Sequence, residues 1–356
     1  MRFGLFCNQQ RARADVSGSW REDMDEVVLG DRLGFGEAWI SEHTGSPWLP
    51  DALPSPDHMI CALSGLTERI RLGPAIRRLA LYHPLQVAIE AAVCDQLTGG
   101  RYMFGFGRGG PVSGWGQRGT EWEQTHDMMV EGIDLITRCF DDPKPFDFEG
   151  RFYRGKAITV FPRPVQKPGP PISVATGNPT LLRMAAERGF NVLTSQFATP
   201  GEVDRIGRAY ADAGAPGGRR GLTAVRGVYV SDSDERAVAD VEGDWARHIA
   251  FNQQHFPMNF KNWTAPGQAP TDVTFRELLD RGLMFIGSPS TVAGRIRAFF
   301  EESGGFGTFL LVTGRDWGRF DQRARSLELF AEAVAPRLVE LEPAAPSTER
   351  RHAATA

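Results

Sequence analysis

Along this chain, short apolar runs bounded by turn residues alternate with longer segments of helical period. The runs are "RFGLFC" (2–7), "EAWIS" (37–41), "IRLGPAI" (70–76), "RYMFGFG" (101–107), "PISVAT" (171–176), "FNVLTS" (190–195), "LTAVRGVYVS" (222–231) and "GTFLLVT" (307–313). Helical patterns cover 20–33, 55–67, 84–97, 121–140, 178–188, 200–213, 233–250 and 289–303, with a further one at 321–338. Such alternation signals βα units around a parallel sheet. Eight strands, each followed by a helix, is the count that closes a (β/α)8 TIM barrel, an α/β fold whose core takes about 250 residues.

The 356 residues exceed that core, so the expectation is one barrel domain over 1–340 with insertions. Residues 144–165 carry aromatic alternation around Glu149–Gly150 and read as a hairpin. Residues 251–285 form a long segment rich in aromatics, Pro and Gly, of the kind that serves as a lid or binding loop. Residues 341–356 are polar and rich in Ala and Pro, and read as a disordered tail.

Charge excludes one class of partner. The net charge is −4, with 40 basic and 44 acidic residues interspersed, and no basic block would track a nucleic acid. The apolar runs are strand-length, too short to span a bilayer, and the start "MRFGLFCN" lacks the order of a signal peptide, so a cytoplasmic protein is expected. Cys7, Cys61, Cys94 and Cys139 are far apart in sequence, form no C-x-x-C pair and read as buried free thiols. His58, His83, His126, His248 and His255 show no metal-ligand spacing, and no G-x-S-x-G elbow appears.

Three strand ends carry chemistry. In "YMFGFGRGGP" (102–111), Gly105, Gly107 and Gly110 fit G-x-G-x-x-G, but a loop follows and the next helix begins only near Glu121, so the dinucleotide fingerprint fails on context. In a barrel this stretch opens onto the active-site face, where glycines let a ligand approach the backbone. Arg108 is then either a cation at the mouth or a surface arginine. "WISEHTG" puts Glu42 and His43 at the rim, where an imidazole moves protons near neutral pH or simply bonds to backbone. "ATGNPTLL" leads Thr176, Gly177 and Asn178 into a helix with Pro179 early. Its free N–H groups and the Thr176 and Thr180 hydroxyls suit an anion, and N-capping by Asn178 is the alternative.

With these features the chain resembles the luciferase-like flavin-dependent monooxygenases. The resemblance is carried by "EAWISEHT", "HPLQVAIEAAVCDQLTGGRYMFGFGRG", "GRFYRGKAITVFPRPVQKPGPPISVATG", "IGSPSTVAGRIRAFFEESG" and "LELFAEAVAPRL", and covers about residues 1–340 in family order. It implies reduced flavin mononucleotide (FMN) at the C-terminal mouth of the barrel. His43 matches the active-site histidine, Arg108 the phosphate-contacting arginine, and Thr176, Gly177, Asn178 and Thr180 the phosphate-binding turn. Ala75 and Ile76 fall at a non-proline cis peptide under the flavin ring, and Gly107, His126 and Ser195 join the cofactor-binding set. Thr44 replaces a common second histidine, and His126 stands where some members place an arginine.

The implied reaction uses O2 and a C4a-peroxyflavin to oxygenate a mainly apolar organic substrate, with reduced flavin supplied by a separate reductase. His43 would hydrogen-bond or protonate the peroxide, oriented by Glu42. Trp48, Trp115, Phe256, Phe260 and Trp263 would line the substrate site, together with Phe251. The 251–285 insertion is alternatively a packing arm at a dimer contact, since family members are commonly homo-oligomers. Two rival readings are hydride transfer with a deazaflavin cofactor and a noncatalytic flavin-binding subunit.

Overall fold

The computed structural model describes residues 1–44, 48–110 and 115–343. Most of the expected tail, 344–356, lies outside the described residues. Two compact units divide the chain. The first comprises Gly4–Ala175 with Val312–Asp316, and the second Met1–Phe3, Thr176–Leu311 and the residues from Trp317 onward.

The first unit alternates β1 (Arg2–Cys7), α1 (Val16–Leu33), β2 (Glu37–Ile40), α2 (Pro56–Ser64), β3 (Arg71–Pro74), β4 (Arg77–Arg78), α3 (Pro84–Leu97), β5 (Phe104–Gly107) and α4 (Thr125–Asp141). The hairpin β6 (Phe146–Glu149) and β7 (Arg154–Ile158) follows as expected, and β8 (Ile172–Ala175) completes the unit. β1, β2 and β3 pair in parallel with Leu5 opposite Ala38 and Ala38 opposite Leu72, and β5 pairs β8 with Phe104 opposite Ile172. Leu5, Ala38, Leu72 and Phe104 are fully buried, as strands of a helix-covered parallel sheet must be.

The glycines of β5 have a packing role. A Cβ on Gly105 would lie 2.1 Å from the Pro74 carbonyl oxygen and 2.8 Å from the Trp39 ring, and one on Gly107 would lie 2.6 Å from the Ile76 side chain. They admit the neighbouring strand end, where the sequence suggested space for a ligand.

The second unit contains α5 (Pro179–Arg188), β9 (Asn191–Leu193), α6 (Pro200–Asp212), β10 (Leu222–Arg226), β11 (Val228–Val230), α7 (Asp234–His255), α8 (Phe275–Asp280), β12 (Phe285–Gly287), α9 (Pro289–Glu302), β13 (Thr308–Thr313) and α10 (Phe320–Leu329). Thr223 of β10 lies opposite both Leu193 and Thr308, again in parallel. The seventh apolar run is two strands. It breaks at Gly227, where a Cβ would meet the rings of Trp317 at 3.1 Å and Trp245 at 3.2 Å, and β11 pairs with β12 instead. β12, only "FIG", lies at the end of the expected insertion and escaped the sequence reading because three residues carry no period. The insertion is also more ordered than a loop, since α7 runs on to His255 and α8 occupies Phe275–Asp280.

Within each unit the sheet strands run parallel in chain order, the connectivity of a (β/α)8 barrel with insertions. Among the described residues no helix is long and apolar enough to cross a membrane. Because the Gly105 site is closed by backbone, Gly105→Ala is expected to destabilise the protein by about 1–3 kcal/mol through overpacking. Urea unfolding measures this, and an unchanged midpoint would contradict the packing role.

Candidate active site

In the first unit, the ends of β2 and β3 meet around buried charge. The Ala75–Ile76 peptide bond is cis, at the position the sequence indicated, and Ala75 N–H donates to the Ile40 carbonyl at 2.7 Å. Arg77 and Arg78 follow directly. The Glu42 carboxylate accepts from Arg78 Nε at 3.1 Å and from the Tyr82 hydroxyl at 3.2 Å, and lies 3.5 Å from Arg77 Nε. Arg77 also pairs with Asp57 and, at 3.1 Å, with Glu90, while Arg78 reaches the Thr44 hydroxyl. Burial raises the Glu42 carboxyl and the two arginines oppose that rise. Glu42 was expected to orient His43. Its carboxylate instead frames the two arginines.

His43 is oriented by residues the sequence reading missed. The Gln10 amide nitrogen lies 2.9 Å from the imidazole nitrogens. Gln10 Oε1 in turn accepts from Arg315 Nη2 at 2.7 Å, and Arg315 also donates to Asn8 Oδ1 and to the Gln10 carbonyl, each at 3.1 Å. Arginine only donates, so it turns the Gln10 oxygen toward itself and the NH2 toward His43. Burial, with Arg315 and Arg78 nearby, pushes His43 down to about 3, and the ring is neutral at physiological pH. Of the two roles expected of His43, hydrogen bonding is the one that a neutral ring serves without a change of charge. Burial, with Arg11 adding to it, also lowers Arg315 to about 9. Both missed residues had a signal, because Gln10 follows β1 and Arg315 follows β13, as Arg108 follows β5.

Beneath them Arg11 is an ion-pair hub. It donates to Asp23 at 2.8 Å, Glu26 at 2.9 Å, Asp316 at 3.0 Å and the Arg315 carbonyl at 2.8 Å. Burial pushes Asp23 up to about 7 against the pull of Arg11.

At the end of β5, Arg108 donates from Nε to the Thr125 hydroxyl at 2.7 Å and from Nη2 to the Trp122 carbonyl at 2.5 Å, with its guanidinium 3.5 Å from the Trp122 ring centroid. The arginine is thereby anchored to the start of α4, where half-buried His126 follows Thr125. Trp115 was expected to line a substrate site. It is 4% exposed, packs with Ala80 and Leu81, and donates to the Gly110 carbonyl at 2.9 Å. Trp48, by contrast, is 53% exposed.

In the second unit, the turn before α5 is capped from within. Asn178 Oδ1 accepts from Thr180 N–H at 2.9 Å and Leu181 N–H at 3.3 Å, and Thr176 Oγ1 accepts from Asn178 N–H at 3.0 Å. The capping alternative is thus realised, and those N–H groups are spent. Arg205 of α6, which the sequence did not single out, donates to the Gly177 carbonyl at 3.3 Å and adds a cation beside the turn. Ser195 lies two residues past β9, and its Oγ accepts from Phe197 N–H at 3.1 Å.

Phe260 and Trp263 are corrected by their burial, 0% and 2% exposed. Their rings pack on Phe197, with centroids 5.8 and 5.1 Å away, and Trp263 Nε1 donates to the Phe197 carbonyl at 2.9 Å. They clamp the insertion onto the loop after β9 and do not line a surface. Phe256 stays half-buried beside Phe251 and His255.

This chain belongs to the luciferase-like monooxygenase family, whose family model matches residues 1–306. It is 30% identical over 351 residues to 4-hydroxyprotoasukamycin monooxygenase of Streptomyces nodosus subsp. asukaensis, covering 94% of this chain and 91% of the relative. Two solved structures share the fold. A monooxygenase from Streptomyces bottropensis superposes with TM-score 0.81 at 23% identity, covering 94% of this chain and 99% of the other. The oxygenating constituent of 3,6-diketocamphane monooxygenase from Pseudomonas putida, a type II Baeyer-Villiger enzyme in complex with FMN, superposes with TM-score 0.77 at 24% identity, covering 94% and 98%. These three proteins are monooxygenases, and membership of the family places the chain among oxidoreductases.

The lowered His43 has a stability consequence. Between its folded value near 3 and the ordinary 6.5, the unfolded chain binds the proton that the folded protein refuses, so stability falls as pH drops through that window and is flat above it. Moving from pH 6.5 to 5 should cost on the order of 2 kcal/mol from this group, and His43→Gln should remove that part of the slope. Urea unfolding across the range checks it, as does the His43 ring proton in NMR, which should not titrate between pH 5 and 8.

Proposed function

We propose that this protein is an FMN-dependent monooxygenase that takes reduced flavin from a separate reductase and inserts one oxygen atom of O2 into a mainly apolar organic substrate. The observation that carries the reading is local: a neutral His43 just past the end of β2, held by Gln10, in a chain of this family. The FMN-bound Pseudomonas relative supports the cofactor, and its description as an oxygenating constituent supports a partner that delivers reduced flavin.

Within the second unit, Arg205 supplies a cation and the Thr176 and Thr180 hydroxyls supply neutral donors, a set that suits a flavin phosphate. Arg108 is held by Thr125 and Trp122, and its guanidinium orientation is set before a ligand arrives. Reduced flavin, when bound, activates dioxygen and passes one oxygen atom to the substrate. His43 then contributes a fixed ring N–H or lone pair, with Gln10 and Arg315 preventing rotation, and Glu42 keeps Arg78 beside Thr44. In the second unit, half-buried Phe251 and Phe256 remain as aromatic candidates for contact with an apolar substrate. A homo-oligomer in the cytoplasm is part of the same reading.

Anaerobic titration with reduced FMN, followed by mixing with oxygenated buffer, tests it. Binding and a transient absorbing species that outlives free flavin oxidation are expected. Tight binding of a reduced deazaflavin with none of FMN would overturn the reading. His43→Ala should retain FMN affinity and lose about 10²-fold in product formed, the scale of one positioned proton or hydrogen-bond group. Unchanged product formation would remove His43 from the chemistry.

A further inference from the structure

The four cysteines are dispersed in sequence, but the fold brings two together. Cys61 of α2 and Cys94 of α3 place their sulfurs 3.7 Å apart, in hydrogen-bonding contact. Cys94 is buried and Cys61 is partly open to solvent. Each stands one helical turn beyond a carboxylate that grips the same arginine: Asp57 precedes Cys61 by four residues, Glu90 precedes Cys94 by four, and both pair with Arg77. The Tyr102 hydroxyl donates to Asp57 at 2.7 Å on the same side. Arg77 therefore holds α2 and α3 at a fixed separation one turn away, and the two thiols face each other on that frame.

We propose that Cys61 and Cys94 form a peroxide-reactive dithiol, with Cys61 as the attacking thiol and Cys94 as the resolving one. Hydrogen peroxide is the oxidant class, because it is small enough to reach a half-buried sulfur. The Cys61 thiolate attacks one peroxide oxygen, the O–O bond breaks, and the departing oxygen leaves as water after protonation. Cys61 is then a sulfenic acid. The Cys94 sulfur attacks the Cys61 sulfur, the S–O bond breaks, and a second water leaves with the Cys94 proton. In sum, two thiols and one hydrogen peroxide give one disulfide and two waters. Each sulfur gives up one electron, and the peroxide accepts two.

The geometry divides the roles. The outer thiol meets the oxidant, and once Cys61 is ionised the adjacent Cys94 thiol is placed to donate to its thiolate. To bond, the sulfurs must close from 3.7 Å to about 2.05 Å. Cys7 is fully buried and Cys139 nearly so. Neither has a thiol partner among the described residues, so both should resist the same treatment. The proposal is independent of which flavin the protein uses.

The test uses the full-length wild-type protein, exposed to hydrogen peroxide, trapped with a thiol alkylator under denaturing conditions and digested for mass spectrometry. A peptide linking Cys61 to Cys94, lighter by two hydrogens and released by dithiothreitol, is expected, with Cys7 and Cys139 still alkylated. Cys94→Ser should leave Cys61 as a sulfenic acid captured by dimedone, and Cys61→Ser should leave Cys94 reduced. Four alkylated cysteines after peroxide, a Cys61 sulfinic acid with no linked peptide, or a Cys61–Cys61 link between chains would each overturn the proposal. The wild-type measurement decides the matter even where a variant fails to fold.

Discussion

Glu42 makes the first unit electrostatically possible. Adjacent guanidiniums, each with its side chain 3% exposed, would repel, and a buried charge left without a partner costs several kcal/mol. The Glu42 carboxylate lies against both, and Asp57 and Glu90 complete the compensation for Arg77. The same pairs have mechanical effects. Arg77 draws α2 and α3 to the end of β3, and Arg78 ties Thr44 and the face of Trp115, 5.4 Å from its guanidinium carbon, to the end of β2. The backbone that carries the cis bond and His43 is thus fixed from both sides by charge, at the one end of a helix-covered sheet where polar groups can gather.

Much of this was legible because parallel strands announce themselves. All eight apolar runs become strands, since a strand buried on both faces needs uninterrupted apolar sequence. The cis bond and the position of His43 after β2 followed from the resemblance and not from period or composition. What failed was any inference that needed the direction of a side chain. Phe260, Trp263 and Trp115 read as a substrate lining because aromatics in loops suggest a pocket, yet each is buried, with its own ring contacts and, for the two tryptophans, an indole hydrogen bond. The β5 glycines read as ligand access, whereas backbone and side chains of the neighbouring strand fill the space. Cys61 and Cys94 stand 33 residues apart, and only helix packing joins them.

The polar end of the first unit shows burial acting with opposite sign on different groups. It depresses the cations His43 and Arg315 and raises the acid Asp23, in each case favouring the neutral form. Arg11 escapes because burial, the largest single influence on it, is outweighed by Glu26, Asp23 and Asp316 together. Arg11 therefore keeps its charge.

Burial and the neighbouring arginines decide what His43 can do. A protonated ring would stand near Arg315 and Arg78 with no carboxylate of its own, because Glu42 is committed to the arginines. The Gln10 amide lies between the two groups. Its oxygen is held by Arg315 and its NH2 is presented to the imidazole, 2.9 Å from both ring nitrogens. A neutral ring carries one N–H donor and one acceptor in either tautomer. Such a group stabilises negative charge developing on a reacting oxygen without first losing or gaining a proton, and its effectiveness rests on Gln10 and Arg315 as much as on the histidine itself.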